Sequence, residues 1–244
     1  MFLRVGAPLI MAFGLLSALP AGAEELRVEP KAVLELFTSQ GCSSCPPADA
    51  LFADLAKRPD LVTLAYHVDY WDYIGWPDTF GAEANSNLQR DYASSWGSAR
   101  IYTPQLIVNG AVGVVASKKR HVDEALSGAA LPLPVMIANH DGVLSISING
   151  KAGVAPDATV WLITFINRAD VPIERGENEG KAITYTQIVT GRQILAMWDE
   201  STGAHFKLPL SEIITPPSTG AAIVVQQDNH GLPGPILGAA SFSL

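Results

Sequence analysis

Two cysteines separated by two residues are the feature of this sequence most suited to chemistry. Cys42 and Cys45 are its only cysteines, and they stand in the segment GCSSCPP at residues 41–47. The two prolines suit the first turn of a helix, where a missing N–H costs nothing. The unpaired N–H groups and positive dipole end of such a helix favour a thiolate at Cys42. The spacing therefore predicts a redox pair in which Cys42 attacks a disulfide and Cys45 resolves the mixed disulfide.

Two other interpretations of the cysteine pair remain open. A structural disulfide across so small a ring would contribute only about 2 kcal/mol, compared with more than about 4 kcal/mol for a bridge that closes a long loop. Half of a zinc site would need two further nitrogen or sulfur ligands. The histidines are scattered without metal-ligand spacing, at His67, His121, His140, His205 and His230.

The first half of the chain alternates strand-like and helical segments. Residues 32–37 and 61–68 form two predicted strands, with the helix that follows the cysteines between them. The later segments are a helix over 80–96, a β-hairpin over 105–115 that turns at Asn109-Gly110, and a closing helix over 118–126. This order predicts an α/β unit with a βαβ start, then a helix and a ββα segment.

The topology of this unit brings further residues to the edge that carries the cysteines. Parallel strands end at the same edge of a sheet, which places Asp69 and Trp71 close to Cys42 and Cys45. Thr103-Pro104 precedes a strand that is expected to run antiparallel, so its beginning reaches the same edge. The Thr103 backbone could then pair with an extended substrate strand, and a trans bond is the ordinary expectation for Pro104. We therefore predict substrate binding by these four residues.

Three nearby features each allow two interpretations. The aromatic side chains of residues 69–80 form either a wall that selects an extended partner or the packing of a loop onto the molecule. Glu35 is either a proton relay for Cys45 or an acid that is exposed or paired with a cation. Residues 175–180 (RGENEG) indicate a loop between strands, with a position at the dithiol edge or at a domain contact as the alternative.

The second half of the chain has the pattern of an all-β structure. Pro132 and Pro134 break the preceding helical pattern and mark a boundary. Strand-like runs follow at residues 144–148, 159–166, 183–189, 194–198 and 222–226. Turn signals fall between them, at Asp141-Gly142, Asn149-Gly150, Gly191, Gly203 and Gly231. Short strands at this spacing predict a β-sandwich over residues 132–244, after an α/β domain over residues 24–131.

The first 23 residues are predicted to be a secretory signal peptide. They carry one cation, Arg4, then an apolar stretch and the small-residue ending Ala21-Gly22-Ala23. We expect a periplasmic or secreted protein without stable membrane insertion, in a compartment where a disulfide persists. The net charge of −8, from 16 basic and 24 acidic residues, makes nucleic acid an unfavourable partner. No motif indicates a cofactor or a metal.

Several motifs together resemble a known family. The segments CSSCPP (42–47), HVDYWD (67–72), YTPQ (102–105) and RGEN (175–178) are similar to those of an exported bacterial family of unknown function, over nearly the whole chain after the signal peptide. The arrangement around the cysteines resembles the thioredoxin-like superfamily, and the approach through residues 35–39 is more like glutaredoxins. The resemblance implies a thioredoxin-like domain, a cis Pro104 and a redox pair at Cys42 and Cys45, but no substrate. The Ser-Ser spacer and the absence of Trp before Cys42 depart from ordinary thioredoxins.

The function that the sequence favours is thiol–disulfide exchange. Its partners would be the thiols of exported proteins or a small disulfide. Two alternatives belong to other classes: a non-catalytic thioredoxin-like binding module, and a copper-binding protein that uses two thiolates. The oligomeric state and the direction of electron flow are open.

Overall fold

A computed structural model describes residues 24–25 and 30–244 of the chain. The predicted signal peptide, residues 1–23, lies outside the described residues. None of the helices within them is long and apolar enough to cross a membrane.

The described residues contain many more strands than helices. The strands are β1 (Glu24–Glu25), β2 (Ala32–Thr38), β3 (Leu61–His67), β4 (Gln105–Val108), β5 (Val112–Val115), β6 (Met136–His140), β7 (Val143–Ile148), β8 (Asp157–Pro172), β9 (Ala182–Asp199), β10 (Ala204–Pro209), β11 (Gly220–Asn229) and β12 (Leu232–Ser243). The helices are α1 (Pro46–Leu55), α2 (Glu83–Ser95), α3 (Lys119–Ser127) and α4 (Leu210–Ile213), with a 3-10 turn at Asp72–Ile74.

The predicted βαβ start is confirmed. Strands β2 and β3 are parallel and in register from Ala32 opposite Leu61 to Thr38 opposite His67. Helix α1 connects them, and β4 pairs antiparallel with the other side of β2. Both strands are buried along their whole length, which explains their nearly continuous apolar sequence. Their carboxyl ends therefore form one edge, above which α1 begins.

The predicted hairpin turn at Asn109-Gly110 is also confirmed, and it is locked in place by distant segments. Both residues have positive φ angles, 50° and 64°, as a two-residue turn of this type requires. The side chain of Asn109 accepts a hydrogen bond from the Val33 amide at 2.7 Å, and its carbonyl accepts one from Ile236 at 2.8 Å. The turn thus connects β2 to β12.

Replacing Gly110 with alanine should destabilise the protein by at least about 2 kcal/mol, because the new methyl group meets both backbone strain and a clash. A Cβ at this position would lie 2.5 Å from the Gly234 carbonyl oxygen. Urea unfolding measures the effect. Gly128→Ala is the control, because a Cβ there enters open space; equal stability of the two variants would contradict the prediction.

The strands of both halves of the chain form one sheet. Its order is β12-β11-β8-β9-β3-β2-β4-β5, and β9 joins β3 in parallel where Ile188 lies opposite Ala65. A second sheet, β1-β6-β7-β10, shares a buried core with β8, β11 and β12 around Trp198. The fold is therefore mixed α/β, with a large and mostly antiparallel sheet. The division into domains at residue 131 stays a prediction, and the large sheet continues across that position.

One predicted turn is wrong. Gly191 does not separate two strands: it lies inside β9, opposite Thr164, and the ladder with β8 shifts its register there. The segments 183–189 and 194–198 are consequently parts of a single 18-residue strand. The physical reason is that a glycine in a strand accommodates a bulge as readily as a turn.

Candidate functional site

The two cysteines form a disulfide at the first turn of α1. Their Cα atoms are 5.4 Å apart, and the Cys45 amide donates to the Cys42 carbonyl at 3.1 Å. Cys45 is the N-cap residue of the helix, and Pro46 and Pro47 occupy its first turn. Cys42 is 1% exposed and Cys45 is 0% exposed, whereas Ser43 and Ser44 between them are exposed. The serines therefore form the solvent side of this turn.

Thr103 and Trp71 lie beside the disulfide turn. The Ser44 hydroxyl is 3.4 Å from the Cys42 sulfur and 3.5 Å from the Thr103 carbonyl oxygen. The indole N–H of Trp71 donates to the Thr103 hydroxyl at 2.7 Å. The Thr103–Pro104 bond is cis, as the family resemblance implies and contrary to the ordinary expectation of trans. The structure thus brings Thr103, Pro104 and Trp71 to the edge that carries the cysteines.

Asp69 is used differently from the other predicted site residues. Its carboxylate accepts a hydrogen bond from the Ser86 hydroxyl. Its backbone amide donates to the oxygen of that hydroxyl at 3.2 Å. Ser86 is fully buried on α2. The contacts of Asp69 therefore connect the end of β3 to α2.

The loop between β8 and β9, residues 173–181, reaches the disulfide turn from the second half of the chain. We call it the β8–β9 loop. The side-chain amide of Asn178 donates to the Gln40 carbonyl at 2.9 Å and to the Cys42 carbonyl at 3.0 Å. Its oxygen accepts from the Lys181 ammonium at 2.8 Å, which fixes the orientation of the amide. Asn178 is fully buried, so these bonds hold the loop against the backbone of the turn.

A second contact of the same loop is electrostatic. The Glu177 carboxylate accepts a hydrogen bond from the Ser43 amide at 3.2 Å.

The loop also packs against the aromatic segment. Gly176, with a φ of 80°, lies so close to Trp76 that a Cβ would be 3.2 Å from the Trp76 Cβ. The indole N–H of Trp76 in turn donates to the Gln40 side chain at 2.9 Å. The aromatic segment, residues 69–80, therefore packs on the loop through Trp76. Tyr73 of the same segment is 82% exposed.

A cluster of buried polar groups lies next to the helix start. Asp49, one helical turn after Cys45, accepts a hydrogen bond from the Thr38 hydroxyl at 2.8 Å. His67 is 2.8 Å from the Asp78 carboxylate. One oxygen of Asp49, the His67 Nε2 and the Tyr185 hydroxyl are buried without a hydrogen-bond partner among the described residues. Burial raises the pKa of Asp49 to about 7, although His67 and Thr38 oppose the shift.

Glu35 is buried, so its interpretation as an exposed acid is wrong. It accepts a hydrogen bond from the Tyr92 hydroxyl, which also accepts from Gln226 at 2.7 Å. Burial raises the pKa of Glu35, and the positive charge of Arg192 opposes the shift. Glu35 is therefore bonded to α2, and the Tyr92 hydroxyl links it to Gln226 in the second half of the chain.

The residues that sequence reasoning missed could be found in part from the sequence. Asp49 stands four positions after Cys45. Residues with this spacing lie on the same face of a helix, so the sequence indicates that Asp49 is near the cysteines. The bond from Asn178 to Cys42 joins residues 136 positions apart, and no local pattern indicates it. Among the described residues, no group of three His, Cys, Asp or Glu side chains is arranged to hold a metal ion.

Comparisons with known proteins show which family and which solved structures this chain is similar to. The family model for "Protein of unknown function (DUF1223)" matches residues 33–226. The crystal structure of a protein from Agrobacterium tumefaciens is 33% identical, with a TM-score of 0.78, over 89% of this chain and 96% of that one. HBP35 of Porphyromonas gingivalis is similar in fold alone, at 14% identity and a TM-score of 0.56, over 89% of this chain and 76% of that one. None of the curated proteins matches the chain.

Proposed function

This chain belongs to the DUF1223 family of proteins of unknown function, and from that premise we propose that it is an exported thiol–disulfide oxidoreductase acting through Cys42 and Cys45. The observation that carries the proposal is the position of the disulfide. It spans the first turn of a helix that follows a buried parallel strand, with the Thr103 carbonyl 3.5 Å from the Ser44 hydroxyl. The positive dipole end at a helix start stabilises a thiolate.

The elements around the disulfide support a thioredoxin-like fold for the first half of the chain. Strand β2, helix α1 and parallel strand β3 are followed by α2, the antiparallel hairpin β4–β5 and α3. In this proposal Thr103 and Pro104 hold the backbone of an extended partner, and Trp71 orients Thr103 through its indole N–H. The second half extends the sheet and supplies the loop beside the cysteines.

The proposed reaction is an exchange of one disulfide for another. The Cys42 thiolate attacks one sulfur of the partner's disulfide, and the other partner sulfur leaves as a thiolate. Cys45 then attacks Cys42 in the mixed disulfide, which releases the second partner sulfur and forms the Cys42–Cys45 bond. Because Cys42 is 1% exposed in the disulfide form, reduction of this bond requires a local movement of the exposed Ser43–Ser44 turn.

Export supports the choice of substrate class. The predicted signal peptide would direct the chain to an oxidising compartment, where a disulfide such as Cys42–Cys45 persists. The partner is then the thiol or disulfide of an exported protein, or a small disulfide. Cell fractionation followed by amino-terminal sequencing tests this part, with a mature chain that begins at Glu24 as the expected result and an uncleaved chain in the cytoplasm as the contrary one.

The activity is tested on the reduced protein. We expect the alkylation rate of Cys42 to report a pKa below the ordinary value of about 8.5, and the protein to accelerate the reduction of insulin disulfides by dithiothreitol. Protein alkylated beforehand at both cysteines is the control. An ordinary Cys42 pKa together with an insulin reduction rate equal to that of the control would exclude the proposal.

A further inference from the structure

The β8–β9 loop brings a negative charge to the residue that follows the proposed nucleophile. The Glu177 carboxylate is bonded to the Ser43 amide at 3.2 Å, across 134 positions of sequence. Ser43 is the first residue after Cys42, in the turn that precedes the start of α1 at Pro46, and its N–H would otherwise be free to donate to a thiolate at Cys42. We infer that the Glu177 carboxylate of the β8–β9 loop makes the Cys42 thiol less acidic, and that the Ser44 hydroxyl makes it more acidic. This inference rests on the proposed function.

The two groups act in opposite directions for a simple electrostatic reason. The Glu177 carboxylate, held at the amide of the residue next to Cys42, disfavours a negative charge on the sulfur. It also occupies the Ser43 N–H, which would otherwise be free to stabilise that charge. The Ser44 hydroxyl is 3.4 Å from the Cys42 sulfur. After reduction, a thiolate is a stronger acceptor than the Thr103 carbonyl that shares this hydroxyl, so Ser44 stabilises the charged form. The acidity of Cys42 is then the balance of the two contacts.

The loop is anchored well enough to hold Glu177 in place. Asn178, the next residue, is buried and donates to two carbonyls of the turn. The backbone of the loop closes on itself through bonds from Gly180 to Ile173 and from Ile173 to Lys181, both at 2.8 Å. The other charged or titratable groups beside the turn are the Lys181 ammonium, which is bonded to Asn178, Asp49 in α1, and Asp78. Asp78 accepts from the Gln40 amide at 2.7 Å and lies 2.8 Å from His67. None of these groups is changed by substitution of Glu177.

The inference predicts a change in the redox equilibrium as well as in acidity. Two glutathione thiols reduce the Cys42–Cys45 disulfide to two thiols and become one glutathione disulfide, with two electrons and two protons passed to the protein. A more acidic Cys42 stabilises the dithiol form at a pH above its pKa. Removal of the Glu177 charge should therefore make the protein disulfide easier to reduce, and removal of the Ser44 hydroxyl should make it harder.

The experiment measures the Cys42 pKa by alkylation and the equilibrium with glutathione in four variants of the full chain. We expect Glu177→Gln to lower the Cys42 pKa by about half a unit to one unit, because the carboxylate is exposed and partly screened. Ser44→Ala should raise it by a similar amount. The equilibrium constants should shift about three- to tenfold, toward the dithiol in the first variant and toward the disulfide in the second.

Two further variants are matched controls. Glu179→Gln removes the same charge from the same loop, and Ser43→Ala removes the same hydroxyl from the same turn. Neither side chain makes a hydrogen bond within the described part of the chain. In high salt the effect of Glu177→Gln should shrink, because exposed charges are screened, whereas that of Ser44→Ala should persist.

The outcomes separate this inference from the proposed function. Opposite shifts in Glu177→Gln and Ser44→Ala, with both controls near the original protein, support it. A Glu177→Gln protein that matches Glu179→Gln in Cys42 pKa overturns it, even if insulin reduction by the original protein is intact. Conversely, an original protein that fails to reduce insulin while the two variants shift in opposite directions overturns the proposed function and leaves the control of thiol acidity in place.

Discussion

Cys42→Ser protein should lose disulfide-reducing activity by at least about 1000-fold, because a serine hydroxyl is not ionised at neutral pH and the thiolate is the attacking species. The fold should tolerate the change, since serine is smaller than cysteine and the short disulfide ring contributes only about 2 kcal/mol to stability. The measurement is insulin reduction under fixed dithiothreitol, with circular dichroism to verify that the variant is folded.

Cys45→Ser protein is the matched partner of that variant and should behave differently. It keeps the attacking sulfur but lacks the resolving one, so the mixed disulfide between Cys42 and its partner should persist. Non-reducing electrophoresis and mass spectrometry of the exported fraction would then identify the molecule joined to Cys42. Equal capture by Cys42→Ser and Cys45→Ser would show that the trapped species does not depend on Cys42 as nucleophile.

The two single variants and the double variant together distinguish the alternative functions. A binding module with a thioredoxin-like scaffold should keep its partner when both cysteines are replaced by serine. A copper protein should instead lose bound metal in each single variant, when the original protein is purified in reduced form and its metal content is measured. An oxidoreductase is expected to show the asymmetry between Cys42 and Cys45 that neither alternative requires.

Asp49→Asn should increase the free energy of unfolding at neutral pH by about 2–4 kcal/mol. The folded protein holds the pKa of Asp49 at about 7, compared with 3.8 for an ordinary aspartate, so between these values the folded state binds the proton more tightly than the unfolded state does. The free energy of unfolding therefore falls as pH rises from about 4 to about 7, with a ceiling of about 4 kcal/mol for a shift of this size. Asparagine is neutral throughout and can still accept from Thr38.

Urea unfolding of the oxidised protein at several values between pH 4 and pH 8 measures this difference. The stability of Asp49→Asn relative to the original protein should grow from about pH 4 to about pH 7 and then level off. Asp54→Asn, on the exposed face of the same helix, controls for the loss of one negative charge. A difference between Asp49→Asn and the original protein that is the same at pH 4 and pH 8 would contradict the raised pKa.

Much of the first half of the molecule could be predicted from local patterns. The run of apolar residues in β2, the prolines after Cys45 and the Asn109-Gly110 turn each specify their own geometry within a few residues. The polar, glycine-containing segment 175–180 predicts a loop between strands, with a domain contact or a position at the dithiol edge as the alternative. The structure confirms that position through the bonds of Asn178.

Other features depended on contacts between distant segments. Gly191 carries the same local signal in a turn and in a bulge, and only the pairing of β9 with β8 distinguishes them. The pairing of β9 beside β3 likewise joins residues more than 120 positions apart. Local propensity does not encode which strand edges meet, because that choice depends on which faces can be buried together.

The sequence by itself determined the cysteine pair, the helix that begins at it and the strands that position it, because each of these follows from residue types within one turn or one strand. Only the tertiary structure decided which charges surround the pair: the Glu177 carboxylate at the Ser43 amide and the buried Asp49 in the first turn of the helix. The charge near a thiol and the burial of an acid are properties of packing, so they arise only when separate parts of the chain come together.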